Sequence, residues 1–161
     1  MKVMHTNAET ARIAEELRQV FSGKPWYGYP LSELLTGVSA KAAVIRPSPL
    51  LHSIWELVLH IELWARIGWE ATHGVPMPKL YGTEKDWPAV EHASEEAWEG
   101  SKNQVAQTIE QFAQAIAQFG DERLTETVPG REYNFAYLFR GVVQHSVYHF
   151  GQIAMAKAAL R

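Results

Sequence analysis

Cysteine is absent from this 161-residue chain. That one absence removes disulfides, thiolate metal ligands and a cysteine nucleophile, and leaves His, Asp and Glu as the available ligands. Neither sign of charge dominates, since 15 Lys and Arg against 18 Asp and Glu leave a net charge of −3. A general attraction to nucleic acid or to an anionic membrane is therefore not expected. No run reaches the roughly 18 uncharged apolar residues of a membrane span. The start, Met1-Lys-Val-Met-His-Thr-Asn7, carries no apolar segment of the signal-peptide kind. A cytoplasmic protein of one domain, residues 1–161, is the expectation. Strand-like alternation, internal repeats, a P-loop and a dinucleotide fingerprint are missing too. Without a Gly-x-Ser-x-Gly elbow, a Ser-His-Asp hydrolase is disfavoured. The paired Glu-x-x-His motifs of di-iron bundles are also lacking.

What the chain does have is helical periodicity. Asn7 or Thr6 can cap a first helix over about 7–21, with Ala11, Ile13, Ala14, Leu17, Val20 and Phe21 as its apolar stripe. Short helical turns are expected at about 31–36 and 39–43. A second long helix spans about 51–73, where Ser53 and Glu56 have the spacing of a capping box. A third, about 91–119, buries Val105, Ile109, Phe112, Ile116 and Phe119. Residues 121–133 suggest a turn or short hairpin, and a fourth helix starts at Asn134. Four long helices with a long crossover between the first and second make an all-α four-helix bundle.

The chemistry lies in histidine. His145 and His149 stand four residues apart on the last helix and so share a face. Chance supplies such a pair in roughly one chain in four of this composition, so the pair alone decides little. Two core or helix-end histidines, satisfied by hydrogen bonds, remain the plain alternative. His60 adds weight, because it falls on the apolar stripe Leu57, His60, Ile61, Trp64 and Ile67 of the second long helix. Three imidazoles converging from two helices would hold a metal and leave positions open, as a catalytic site does. His5, His52, His73 and His92 lie near helix ends or loops, where exposure is expected; His52 is the one that can still reach the same end of the bundle.

Other residues near the triad divide between ordinary and functional roles. Glu56 reads first as a helix cap and second as a partner that orients His60, while Glu62 reads as a surface charge. Gln152, three residues after His149, can reach the same cavity. Gly151 in mid-helix suggests either a close helix contact or a tolerated glycine. Tyr148, Trp64, Trp55 and Trp69 are candidate pocket walls, although aromatics at helical spacing are more often core. The long segment from about 75 to 90, with Asp86-Trp87-Pro88, has the length of a loop that covers a site.

Two segments together, Ser53-Ile-Trp-Glu-Leu-Val-Leu-His60 and Gln144-His-Ser-Val-Tyr-His-Phe-Gly-Gln-Ile153, resemble the DinB/YfiT-like superfamily of metalloenzymes. The resemblance implies a four-helix bundle, often homodimeric. It also implies a divalent ion, typically nickel or zinc, on His60, His145 and His149. Relatives in that superfamily include S-transferases that use bacillithiol or mycothiol, and a maleylpyruvate isomerase. The expectation is a metal-dependent transferase or hydrolase acting on a small molecule, with a low-molecular-weight thiol as a candidate cofactor. Its rival is a non-catalytic, stress-related binding or dimerisation module whose His site is structural or empty.

Overall fold

In the computed structural model, residues 7–160 are described. Four long helices carry the fold: α1 (Ala8–Ser22), α4 (Ile54–Thr72), α5 (Glu95–Phe119) and α6 (Phe135–Ala159), with short helices α2 (Leu31–Leu34) and α3 (Ala40–Ala43) in the crossover. Among the described residues there is no strand, and of the turn or short hairpin expected at 121–133 the structure has a turn, closed by one bridge between Thr127 and Asn134. The architecture is the all-α bundle the periodicity predicts.

The long helices form a ring in which α1 packs on α5, α5 on α4, α4 on α6 and α6 on α1. The first two long helices in the sequence are therefore diagonal neighbours, which is why the crossover between them is long. Their stripes meet in one apolar core, where Leu17, Ile61, Phe112, Phe139 and Ile153 are each at most 1% exposed. The expected stripe of α5 is wholly buried; in α1, Ala11 instead faces solvent. Two tryptophans settle inside because their indole N–H groups find acceptors. Trp98 donates to the Val38 carbonyl at 2.7 Å and Trp55 to Ser101 Oγ at 2.9 Å.

Caps fix where the helices begin. Ser53 and Glu56 form the reciprocal capping box at α4, Ser94 caps α5 and Asn134 caps α6. Because Ser94 is the cap, α5 begins at Glu95 and not near 91. The start of α1 is capped from a distance. Asn7 makes no side-chain cap bond, and Thr6 lies outside the described residues. Asp121 instead accepts from the backbone N–H of Glu9 at 3.0 Å and of Thr10 at 2.8 Å. Those bonds hold its carboxyl below the usual range. At its other end α5 stops at Gly120, whose φ of 93° no side chain would favour.

The close helix contact lies at Gly68 of α4, not at Gly151. A Cβ on Gly68 would sit 2.8 Å from Phe112 Cζ, whereas one on Gly151 would meet nothing within 4 Å. Gly68 thus lets α4 approach α5 closely, and Gly151 is simply tolerated on an exposed face. The sides of α6 differ in what they meet. One side, with Phe139, Val142, Phe150 and Ile153, enters the core. Another, with Tyr137, Gly141, His145, Tyr148 and Gln152, lines a cavity.

Candidate metal centre

Between α4, α6 and the segment that follows α4 lies a cavity of about 680 Å³ with His60, His145 and His149 in its wall. Helical spacing sets His145 and His149 one turn apart on α6, and their Nε2 atoms are 3.0 Å apart. The burial stripe of α4 brings His60 opposite, its Nε2 3.1 Å from that of His145. The ligand atoms of all three lie within 4.8 Å of one another. The three residues singled out in the sequence do meet.

Hydrogen bonds decide which nitrogen of each ring faces the others. The backbone carbonyl of Asp86 is 2.6 Å from His60 Nδ1. A carbonyl only accepts, so Nδ1 carries the proton and Nε2 presents its lone pair inward. Gln152 Oε1, 2.7 Å from His149 Nδ1, fixes that ring in the same tautomer. His145 Nε2 therefore faces two lone pairs, and one proton on it can satisfy only one of them well. A cation satisfies all three. Three nitrogens about 2.0–2.1 Å from one ion, at angles near 95–110°, stand about 3.0–3.4 Å apart. Two of the three pairs, at 3.0 and 3.1 Å, have that spacing and all three ligand atoms lie within 4.8 Å of one another, so the triad could hold a divalent metal ion.

Burial also prepares the rings electrostatically, since low polarity disfavours the charged imidazolium. The pKa of His145 falls from 6.5 to about 3, through burial first and then through its neighbours His149 and His60. His60 and His149 are lowered too, again chiefly by burial, with Asp86 and Gln152 partly opposing it. All three are neutral at pH 7, the state in which imidazole ligates.

The loop holds the site from one side, which sequence reasoning anticipated only as a cover. Asp86 is 4% exposed. Its carboxylate accepts from Trp64 Nε1 at 2.8 Å, and this anchors the carbonyl that orients His60. Trp87 lies flat against His60, with ring centroids 3.9 Å apart, and His52 covers its other face at 3.4 Å. His52 thus lines the cavity and is not simply exposed. Its Nδ1 is buried without a hydrogen-bond partner; Glu56 Oε2 lies 3.9 Å away, too far for one. Asp86 and Trp87 carried one signal in the sequence, the punctuated Asp-Trp-Pro in an unusually long connection.

The remaining candidates separate cleanly. Trp64 and Tyr148 line the cavity. Trp55 packs on Trp98 in the core, and Trp69 lies beside His73. His73 and His92 are exposed, and His5 lies outside the described residues. Glu56 is a cap that also pairs with Arg46, and Glu62 bonds Thr108 and Arg66, so neither touches the triad.

A helical bundle with three neutral imidazoles turned into one cavity is a fold with a site that could hold a metal ion. This chain belongs to the DinB superfamily, whose family profile matches residues 30–153. Comparison with curated proteins and with solved structures gives no match.

Proposed function

We propose that this protein is a metal-dependent enzyme in which His60, His145 and His149 hold a divalent ion, nickel or zinc, that serves chemistry on a small molecule in the adjoining cavity. The observation that carries the reading is that the triad faces a cavity of about 680 Å³, well within the range of small-molecule sites, instead of being closed in by protein. Such an ion supplies Lewis acidity, lowering the pKa of a water or thiol brought to it or polarising a substrate oxygen. The chain's own residues prepare the place. Asp86 and Gln152 hold two imidazoles in the ligating tautomer. Trp87 restrains the His60 ring and shields its face from water.

With no cysteine in the chain, a sulfur nucleophile would come from a low-molecular-weight thiol. S-transfer to an electrophile is placed slightly ahead of hydrolysis, on the family resemblance. Imidazole donors suit nickel and zinc alike, so both belong to the proposal. In this reading the protein works in the cytoplasm, without a nucleic-acid or membrane partner. Among the described residues, no helix is long and apolar enough to cross a membrane. The test is a panel of thiols and electrophiles given to the zinc- or nickel-loaded protein. Turnover that disappears on chelation is expected. Turnover indifferent to chelation would defeat the reading, and unfolding on chelation would make the site structural.

The proposal extends to a homodimer that leaves the cavity open. Away from the triad, Trp26, Tyr29 and Met155 are strongly exposed. Tyr29 shares a shallow depression with Ala154 and Ala158 of α6. Burying more than about 1,000 Å² there would suffice for a stable two-fold pair. Light scattering should give twice the 18.2 kDa chain mass. The single-chain mass at every concentration would rule the dimer out and leave the triad untouched.

A further inference from the structure

The walls of the cavity narrow what can bind. Six of the lining side chains are aromatic: Trp64, Tyr81, Trp87, Tyr133, Tyr137 and Tyr148. Three of them, Tyr81 at 90%, Tyr137 at 68% and Tyr148 at 67%, are largely exposed, so they offer ring surface that nothing in the fold covers. Among the described residues, no lysine or arginine lines the cavity. Of the cationic residues in the neighbouring loops, Lys79 and Lys85 are exposed outside the wall, and Arg131 is turned to the carbonyl of Pro78. The one carboxylate in the wall among the described residues, Asp86, is buried and committed to the Trp64 indole and, at 3.4 Å, to the backbone N–H of Gly82, with His60 Nδ1 3.5 Å away. Apart from the triad, the remaining polar side-chain groups are phenols, the Gln152 amide, the Trp87 indole and the His52 ring, whose burial disfavours its charged form.

We infer that the cavity takes a ligand with a flat aromatic or apolar body and a single donor group for the triad's ion, and that it rejects ligands carrying further negative charges. The inference rests on the metal-dependent reading above and specifies its substrate class. A second carboxylate or phosphate held away from the ion would give up its water with no cation to replace it. An aromatic body would instead exchange water for ring faces in offset or edge contact. A low-molecular-weight thiol rich in carboxylates is therefore a poor fit, and an arene-bearing thiol or electrophile a good one.

Matched hydroxamic acids test this, because they share one metal-binding head. Zinc-loaded protein is titrated calorimetrically with benzohydroxamate, acetohydroxamate and 4-carboxybenzohydroxamate. Benzohydroxamate should bind at least about 10-fold more tightly than either of the others, a difference of about 1.4 kcal/mol. Tyr137→Arg, at an exposed position where folding is not at stake, should shrink the penalty on the carboxylated compound by a similar factor. Equal affinity for all three, tighter binding of the carboxylated one, or a penalty unmoved by Tyr137→Arg would overturn the inference while leaving the metal reading standing. Failure to take up zinc would overturn the metal reading itself, and this inference with it.

Discussion

Replacing His149 by alanine should abolish stoichiometric metal binding and leave the bundle folded. The imidazole is one of three inward-facing donors, held in its tautomer by Gln152 at 2.7 Å. Losing an orienting partner of a ligand typically costs about 10–100-fold in affinity, and losing the ligand itself should exceed that. The fold draws instead on apolar surface remote from the triad, such as Phe112 and Phe139, whose rings meet edge to face at 5.8 Å. Circular dichroism of the variant should match that of the metal-free parent, while elemental analysis after zinc loading should fall from one ion per chain to nearly none. Undiminished metal content would remove His149 from the site. Collapse of the helical signal would assign the triad to folding, the outcome the non-catalytic rival requires.

The metal-free protein should also lose stability as pH falls from about 6.5 toward 5. His145 is pushed down to about 3, by burial first and by His149 and His60 after it, and those two rings are lowered as well. In the unfolded chain the same rings take up protons near 6.5. Within this window the unfolded state therefore binds more protons than the native one, so stability rises with pH and is lost on acidification. Each ring that stays neutral in the fold contributes at most about 1.4 kcal/mol per pH unit. The lowered carboxyls of Asp121 and Glu56 act only nearer pH 4 and do not blur the window. Urea midpoints at pH 7, 6 and 5 should fall in that order, with a shallower fall for His145→Ala. A flat profile, or an unchanged slope in the variant, would mean that the rings are not held neutral in the native state.

Legibility in the sequence followed the range of the interaction. Where a residue's role is set within one or two helical turns, the pattern sufficed. The Ser53–Glu56 capping box, the Asn134 cap and the Gln152–His149 contact are all of this kind. The convergence was readable because His60 lies on the buried stripe of α4 and the four-residue spacing puts His145 on one face with His149. What escaped depends on segments meeting from afar. Asp121 caps α1 from 111 residues away, and Asp86 orients His60 across a loop of irregular backbone. The His52–Trp87–His60 stack has no periodic signature at all. Gly151 stayed open between two readings because an isolated helical glycine looks alike whether a ring presses on it, as Phe112 does at Gly68, or nothing does. One side of α6 forms the wall of a cavity, and no helical periodicity distinguishes that use from packing in the core.

X-ray absorption at the metal edge of the zinc-loaded protein tests the central claim most directly, that three imidazoles from α4 and α6 converge on one ion. The spectrum should show three imidazole nitrogens at about 2.0–2.1 Å with an open position filled by a light atom. In His149→Ala, any ion retained should show two. A parent spectrum with fewer than three imidazoles, or a protein that takes up no zinc at neutral pH, would contradict the account.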